Sequence, residues 1–217
     1  KFDIPLIFYG ENQAEYGNPT SENESPIMQQ KFFSDQNPLN STLGGVSIEQ
    51  IIETTEFSFN DFYAYVPPDE RKLIDKNIEV HYLGYYLKWD PQECFYYASE
   101  NTGFKANDER TQGSYSKYSS IDDKVDPFHY FTTLIKFGLG RASYDAAQEI
   151  RNGKITREEG VALVKKFDQE FPDRYFSEFL DYIGLSEDQF WLVVDDFRSE
   201  HLWGRDGNDW FLKHTVG

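Results

Sequence analysis

The strongest constraint on the fold is a series of helix start and stop signals that runs from Asp126 almost to the C-terminus. Thr156-Arg-Glu-Glu is a capping box, and Pro172 ends the apolar pattern that follows it. Ser186-Glu-Asp-Gln is a second capping box, placed just after Gly184, which closes the preceding helix. These signals predict at least five helices after residue 90.

A strand–helix pattern comes before this helical region. The apolar run 4–9, which ends at Gly10, is typical of a strand buried on both faces of a parallel sheet. Residues 79–88 alternate in the manner of a strand, and Asp90-Pro91 begins a helix. We therefore expect an α/β fold over 1–105 and a helical region over 106–217. Because such a strand seldom opens a protein, we also expect a missing N-terminal portion.

The charge of the chain excludes several classes of protein. It has 21 basic and 38 acidic residues, a net charge of −17, which argues against binding nucleic acid or an anionic membrane surface. A single cysteine, Cys94, excludes an intrachain disulfide, and no apolar run approaches the roughly 20 residues that span a bilayer. A cytoplasmic protein without membrane insertion is the expectation. Residues 103–141 carry six basic and five acidic residues, so this stretch opposes an anionic ligand least.

Two motifs invite a functional interpretation and also have a simpler one. Gly138-Leu-Gly-Arg-Ala-Ser resembles a dinucleotide-binding turn of an oxidoreductase, but Ser143 replaces its third glycine, so a glycine break between two helices is favoured. His129 lies near Asp122, Asp123 and Asp126, which suggests a metal or acid–base cluster. A solvated turn that caps a helix is favoured about two to one over that cluster. No metal site and no catalytic residue is assigned.

Two polar segments are candidates for a binding site. The segment 110–126 mixes hydroxyls, tyrosines, cations and carboxylates without apolar periodicity, and such loops bind hydroxylated or phosphorylated ligands. A long solvated loop is the alternative interpretation, at nearly even odds. Glu11, Asn12 and Glu15 follow the first strand, where ligands bind in open α/β sheets. We expect the two segments to share one cleft.

Several blocks of the sequence, taken in order, resemble the N-acetyl sugar amidotransferase family. They are Ile4-Pro-Leu-Ile-Phe-Tyr-Gly-Glu-Asn, Tyr85-Tyr-Leu-Lys-Trp-Asp-Pro-Gln, Gly113-Ser-Tyr-Ser-Lys-Tyr-Ser-Ser-Ile-Asp-Asp-Lys-Val-Asp, His129-Tyr-Phe-Thr-Thr-Leu-Ile-Lys-Phe-Gly-Leu-Gly-Arg-Ala-Ser and Ile150-Arg-Asn-Gly-Lys-Ile-Thr-Arg-Glu-Glu-Gly. The family consists of PP-loop ATP pyrophosphatases of bacterial lipopolysaccharide and O-antigen biosynthesis. Its Ser-Gly-Gly-x-Asp-Ser loop and its N-terminal cysteine pairs do not occur in this sequence. The chain therefore resembles the C-terminal portion, with a partial Rossmann-like sheet of the PP-loop ATPase type.

The resemblance implies a reaction. ATP with Mg²⁺ adenylates the acetamido oxygen of a nucleotide-linked N-acetyl sugar, and ammonia from a glutaminase partner displaces AMP to give an acetamidino group. The resemblance also implies that 1–105 is the C-terminal part of the nucleotide-binding domain and that 106–217 is a helical substrate or partner region. We expect this chain alone to be inactive and to bind no ATP. We expect it to bind the sugar nucleotide weakly through Arg110, Lys117, Lys136 or Arg141, and to lose that binding on Lys136→Ala or Arg141→Ala. The resemblance, with the charge pattern, gives these candidates for phosphate, sugar or Mg²⁺: Glu11, Asn12, Glu15, Arg110, Tyr115, Lys117, Asp122, Asp123, Lys136 and Arg141. The alternative is a non-catalytic module that docks the glutaminase or another partner.

Overall fold

The computed structural model describes residues 4–10, 21, 24–34 and 37–217. The chain divides into two compact units, Lys1–Trp89 and Asp90–Gly217, and each is described by itself. Among the described residues, no helix is long and apolar enough to cross a membrane.

The first unit is built on a short parallel sheet. Its elements are β1 (Leu6–Tyr9), β2 (Thr42–Leu43), β3 (Val46–Ser47), α1 (Ile48–Thr54), α2 (Glu70–Asp75) and β4 (Glu79–Tyr82). Strand β1 pairs in parallel with β4, which confirms that the two expected strands lie in one sheet, while β2 and β3 form a small hairpin. The opposite edge of β4 is bonded by the segment 26–28, through Met28 N–H to the Val80 carbonyl at 2.8 Å. Val80 and Tyr82 are buried with Met28 in a small core.

Two expectations for this unit were wrong in detail. Strand β1 is not buried on both faces, since Leu6, Ile7, Phe8 and Tyr9 are 39–48% exposed. Strand β4 ends at Tyr82 rather than near 88, because a 3₁₀ turn over Leu83–Tyr85 bends the chain back. A further 3₁₀ turn covers Phe59–Phe62.

The second unit is mainly helical, as expected. It contains α3 (Pro91–Asn101), α4 (Asp126–Phe137), α5 (Arg141–Arg151), α6 (Arg157–Phe167), α7 (Phe176–Ile183) and α8 (Glu187–Asp196), followed by β5 (Trp203–Asp206) and β6 (Asp209–Leu212). The capping signals act as the sequence indicates. Asp90, Thr156 and Ser186 each accept a hydrogen bond from a backbone amide three residues later, and Gly184 ends α7 with φ +69°.

The antiparallel hairpin β5–β6 near the C-terminus was not expected, since the chain reads as helical almost to its end. Trp203 explains why the hairpin is held: its side chain is buried with Phe131, Leu134, Ile135, Phe190 and Val194. The indole N–H of Trp203 donates to the carbonyl of Ile135 at 2.7 Å. The hairpin therefore completes the main core of this unit by covering α4 and α8.

The glycine motif at 138–143 joins two helices, which confirms the simpler interpretation. Gly138 ends α4 with φ +75°, and Gly140 precedes α5. The buried carboxylate of Asp168 accepts from Gly140 N–H at 3.0 Å, from Ser143 N–H at 2.8 Å and from the Ser143 hydroxyl at 2.8 Å. A Cβ at Gly140 would stand 2.6 Å from the Asp168 carbonyl oxygen. An internal carboxylate thus occupies the helix N-terminus that a pyrophosphate would need.

We expect Asp168→Ala to lower the free energy of unfolding by about 3 kcal/mol, because two amides would stay buried without an acceptor. Urea unfolding of the whole chain measures the change. The exposed Asp181 supplies the matched control, and Asp181→Ala should change the same quantity by less than about 0.5 kcal/mol. Equal effects of the two substitutions would contradict the capping role of Asp168.

Candidate functional site

The segment 107–125, here called the central loop, is held in one conformation by bonds within itself. Asn107 N–H donates to the Lys117 carbonyl at 2.8 Å, and Thr111 N–H donates to the Ser116 carbonyl at 2.9 Å. The Thr111 hydroxyl reaches the Ser119 carbonyl at 2.8 Å. These bonds fold the polar segment into a compact shape without helix or strand. The expectation of a long polar loop here is confirmed.

Arg110 fixes the central loop to the segment after α6. Its guanidinium donates two hydrogen bonds of 2.6 Å to the two carboxylate oxygens of Glu170, and a third of 3.0 Å to the Ser114 carbonyl. The guanidinium also lies 4.6 Å over the ring of Phe167. Hydrogen bonding to Glu170 raises the pKa of Arg110, and the same bond lowers the pKa of Glu170. Arg110 is thus already engaged in holding the loop.

Glu170 and Gln112 complete this attachment. Glu170 accepts from Gly113 N–H at 2.8 Å, so one carboxylate binds both a side chain and the backbone of the central loop. The amide of Gln112 donates to Asp173 at 2.6 Å and accepts from Arg174 N–H at 2.9 Å. The central loop and the segment 170–175 therefore form one rigid wall.

A polar pocket of about 180 Å³ lies along this wall. Its lining comes from the central loop, the first turn of α4 and the segment before α7. The lining residues are Asn107, Arg110, Thr111, Gln112, Ser120, Ile121, Asp122, Asp123, Lys124, Pro127, Phe128, Pro172, Arg174 and Tyr175. We call this the loop pocket. It brings together three of the sequence-predicted residues, namely Arg110, Asp122 and Asp123.

The cations of the loop pocket differ in how firmly their partners hold them. Arg110 and Glu170 have side chains 33% and 26% exposed and form a bidentate pair. Lys124 pairs with Glu178 at 2.6 Å, and both side chains are about 60% exposed. Arg174, whose side chain is 32% exposed, pairs with Glu109, whose side chain is 67% exposed. Because the carboxylates of Glu178 and Glu109 are well exposed, their pairs contribute less to stability than the bidentate pair of Arg110, and a ligand anion can replace either carboxylate at small cost.

The acidic cluster beside the pocket makes hydrogen bonds within the turn that precedes α4. Asp123 accepts from Val125 N–H at 2.7 Å, and Asp126 accepts from the Ser120 hydroxyl. The N-cap position of α4 is Val125 and has no side-chain cap, so this turn leads into the helix without capping it. The described residues contain no group of three or more His, Cys, Asp or Glu side chains arranged to hold a metal ion.

Arg141 and Tyr115 lie in a second, largely buried polar cluster. Arg141 donates from Nε to Asp145 at 3.0 Å and stacks 4.3 Å over the ring of Tyr130, with its side chain 16% exposed. Asp145 also accepts from the Ser114 hydroxyl. Burial raises the pKa of Tyr115 and of Glu149, and raises the pKa of Tyr118 to about 12.

The remaining candidates lie elsewhere. Lys117 is exposed and donates to the Asp108 carbonyl at 3.0 Å. Lys136 lies in the last turn of α4, 5.6 Å over the ring of Phe197, and does not line the loop pocket. The other three candidates, and hence the expected shared cleft, fall outside the described residues: Glu11, Asn12 and Glu15.

Sequence reasoning missed two cations of the pocket, Lys124 and Arg174. Lys124 stands inside the polar segment and follows the two aspartates directly, so position alone could have named it. Arg174 lies sixty-two residues after Gln112, whose side chain holds its backbone in place. Nothing local in the sequence links these two positions, and only the folded chain brings them together.

Comparison with known families gives one match, over residues 112–215. These residues match a family model described as "LPS biosynthesis protein WbpG-like, C-terminal domain". The match begins inside the central loop and includes Lys124 and Arg174. No curated protein matches the chain at a significant level.

We expect Glu170→Gln to reduce stability in a pH-dependent way. The pKa of Glu170 is lowered below its ordinary value of 4.5. The ionised carboxylate therefore makes its full contribution to the free energy of unfolding above pH 4.5. That contribution is lost as the pH falls through the lower pKa of the folded state. Urea unfolding should therefore show a loss of about 2 kcal/mol in the variant at pH 7, which shrinks below pH 4.5.

Glu178→Gln is the matched control, since Glu178 forms an exposed pair with Lys124. Its effect at pH 7 should stay within about 0.5 kcal/mol. A loss in Glu170→Gln that stays constant from pH 7 to pH 3 would show that packing, and not the ion pair, carries the effect.

Proposed function

We propose that the chain is the C-terminal part of an ATP-dependent N-acetyl sugar amidotransferase, because residues 112–215 match the WbpG-like C-terminal domain of lipopolysaccharide biosynthesis proteins. The intact enzyme converts the acetamido group of a nucleotide-linked sugar to an acetamidino group, with ammonia from a glutaminase partner. In this proposal the loop pocket binds the nucleotide-linked sugar. The observation that carries the proposal is the convergence of polar groups and two exchangeable cations in that pocket.

The lining of the loop pocket suits a sugar diphosphate. Lys124 and Arg174 supply positive charge for the phosphates, and the Asp122 carboxylate is an acceptor for sugar hydroxyls. The ring of Tyr175 lies in the same lining, where it offers an apolar surface to a sugar ring. Backbone and side-chain bonds of Arg110 and Gln112 fix this arrangement before a ligand arrives. Such preorganisation lowers the entropy cost of binding.

The magnitudes predict weak binding. A charge-assisted hydrogen bond contributes about 1.5–3 kcal/mol. Two such contacts offset only part of the roughly 4–15 kcal/mol that association costs. The carboxylates of Glu109 and Glu178 also compete for the same cations. High affinity would require further contacts beyond those that the loop pocket offers.

The described residues do not fit a site for ATP with Mg²⁺. The sequence has no Ser-Gly-Gly-x-Asp-Ser loop, and the helix N-terminus at Arg141 is bound to Asp168. Asp123 and Asp126 are engaged by Val125 N–H and by the Ser120 hydroxyl. We therefore assign the sugar-binding task to this chain and derive no step through ATP.

A second candidate function is the docking of a partner protein. A groove of about 430 Å³ between α5 and α6 is lined mainly by aliphatic side chains, with Arg151 and Arg157 beside them. This combination suits a protein segment that carries apolar and acidic side chains. If the chain binds a glutaminase but no sugar nucleotide in solution, this second function replaces the first.

We expect a UDP-linked N-acetyl sugar to bind the chain weakly in calorimetric titration, and ATP with Mg²⁺ to give no detectable binding. Lys124→Ala and Arg174→Ala should each weaken the sugar nucleotide by about tenfold, which corresponds to 1.4 kcal/mol. Lys136→Ala removes a lysine outside the loop pocket and is the matched control, with no expected change.

Two outcomes would contradict the proposal. Equal losses in Lys136→Ala and Lys124→Ala would show that general charge, and not the loop pocket, attracts the ligand. Tight binding of ATP with Mg²⁺ would show that this chain contains a phosphate site that the described residues do not reveal.

A further inference from the structure

One face of the β1–β4 sheet is open and carries a group of hydrogen-bonded polar side chains. In the parallel register, Leu6 lies beside Glu79 and Phe8 lies beside His81, so these four side chains share a face. The other face carries Val80 and Tyr82, which pack into the small core. Tyr86 returns over the open face because the 3₁₀ turn Leu83–Tyr85 reverses the chain.

Three side chains on this open face form a continuous chain of hydrogen bonds. Glu79 Oε2 lies 2.9 Å from His81 Nε2, and His81 Nδ1 lies 2.6 Å from the Tyr86 hydroxyl. The His81 side chain is 12% exposed, whereas Tyr86 is 53% exposed. The imidazole is therefore enclosed, whereas about half of the Tyr86 residue is open to solvent.

The partners determine the direction of these bonds. A carboxylate oxygen only accepts, so His81 Nε2 carries the proton that Glu79 binds. In a neutral imidazole the other nitrogen is then an acceptor, and the Tyr86 hydroxyl donates to Nδ1. A hydroxyl that donates in this way keeps its lone pairs as acceptors. Acid, imidazole and hydroxyl thus have the same order of donors and acceptors as a base-assisted nucleophile.

We propose that Glu79, His81 and Tyr86 form a proton-acceptor site for a small amine. The Tyr86 oxygen accepts a hydrogen bond from an N–H of the protonated amine and then takes that proton. In the same step the hydroxyl proton of Tyr86 moves to His81 Nδ1, and Glu79 stabilises the imidazolium. No electrons are transferred, and the amine is left with the lone pair that a nucleophile needs. Tyr86 touches the ligand, whereas His81 and Glu79 act through it as positioning residues.

The surroundings favour an amine, which arrives mainly as its cation. The first unit has six basic and fourteen acidic residues, a net charge of −8, so its field attracts cations. Glu79 is about half exposed and offers a carboxylate next to the relay. The rings of Phe8 and Tyr86, with centroids 5.8 Å apart, supply aromatic surface that attracts ammonium groups. Under the proposed function, the amine is ammonia. Only this identification of the amine rests on the proposed function.

The activation of Tyr86 can be tested by acetylation with N-acetylimidazole, followed by peptide mass spectrometry. In this reaction the phenol proton moves to His81, the Tyr86 oxygen bonds to the acyl carbon, and the acyl–nitrogen bond breaks as the departing imidazole takes up a proton from protonated His81. The comparison tyrosines are Tyr63 and Tyr182, which are 80% and 78% exposed and so more accessible than Tyr86. Tyr86 should nevertheless react about tenfold faster than either, since a positioned base assists it.

Two variants isolate the relay. His81→Asn keeps a polar group near the Tyr86 hydroxyl but removes the base, and should bring Tyr86 to the rate of the comparison tyrosines. Glu79→Gln keeps the shape of the side chain beside His81 Nε2. It should lower the acetylation rate of Tyr86 by a smaller factor than His81→Asn does. Tyr63 and Tyr182 should keep their rates in both variants, which also reports that the fold is intact.

The amine assignment is tested by competition at constant ionic strength. Methylammonium should slow the acetylation of Tyr86 but not of Tyr63, whereas tetramethylammonium, which has the same charge but no N–H, should protect less. A Tyr86 rate equal to that of Tyr63, or insensitive to His81→Asn, would overturn the relay. Equal protection by the two cations, or none, would overturn the amine ligand. Neither measurement uses sugar or ATP, so its failure is separate from a failure of the proposed function.

Discussion

The bidentate pair between Arg110 and Glu170 joins segments that lie sixty residues apart in the chain. Through it a loop without regular structure acquires a fixed wall, because Glu170 also binds the backbone at Gly113. Partly buried pairs of this geometry are far stronger than exposed ones. The loop pocket, and hence the proposed ligand site, depends on this pair. Arg110, which the sequence suggests as a phosphate ligand, therefore stabilises the fold of the protein instead.

The division of tasks among the cations explains how so acidic a chain can still hold an anion. Arg110 and Arg141 are enclosed by carboxylates and aromatic rings, which leaves them without capacity for a ligand. Lys124 and Arg174 have exposed partners and can change them. Sequence composition cannot separate these two classes, since Arg110, Lys124 and Arg141 all lie in the near-neutral stretch 103–141. The difference lies in the exposure of the partner: the side chain of Glu170 is 26% exposed, whereas those of Glu178 and Glu109 are 61% and 67% exposed.

Features of the fold that short-range interactions determine can be predicted from the sequence, whereas features that depend on contacts distant in the chain cannot. Capping boxes at Thr156 and Ser186 act over three residues, and the helices begin where they indicate. Strand β4 ends because the chain reverses at Leu83. The alternating apolar pattern continues past this point, so the sequence does not indicate where the strand ends. The hairpin β5–β6 has a local signal, Asp-Gly-Asn-Asp between two aromatic runs, which helical patterning upstream outweighed. The loop pocket depends on contacts between residues about sixty positions apart in the chain, and no periodic pattern in the sequence indicates such contacts.

Strand β1 has a consequence for how the protein behaves in concentrated solution. Its four side chains are apolar or aromatic and well exposed, and within the described residues the strand pairs on one edge only, with β4. Such an edge is a template for pairing between molecules. The net charge of −17 opposes this association by mutual repulsion, which acts over a Debye length of about 8 Å at physiological salt. Added salt shortens that distance, so the colloidal stability of this acidic chain falls as the ionic strength rises.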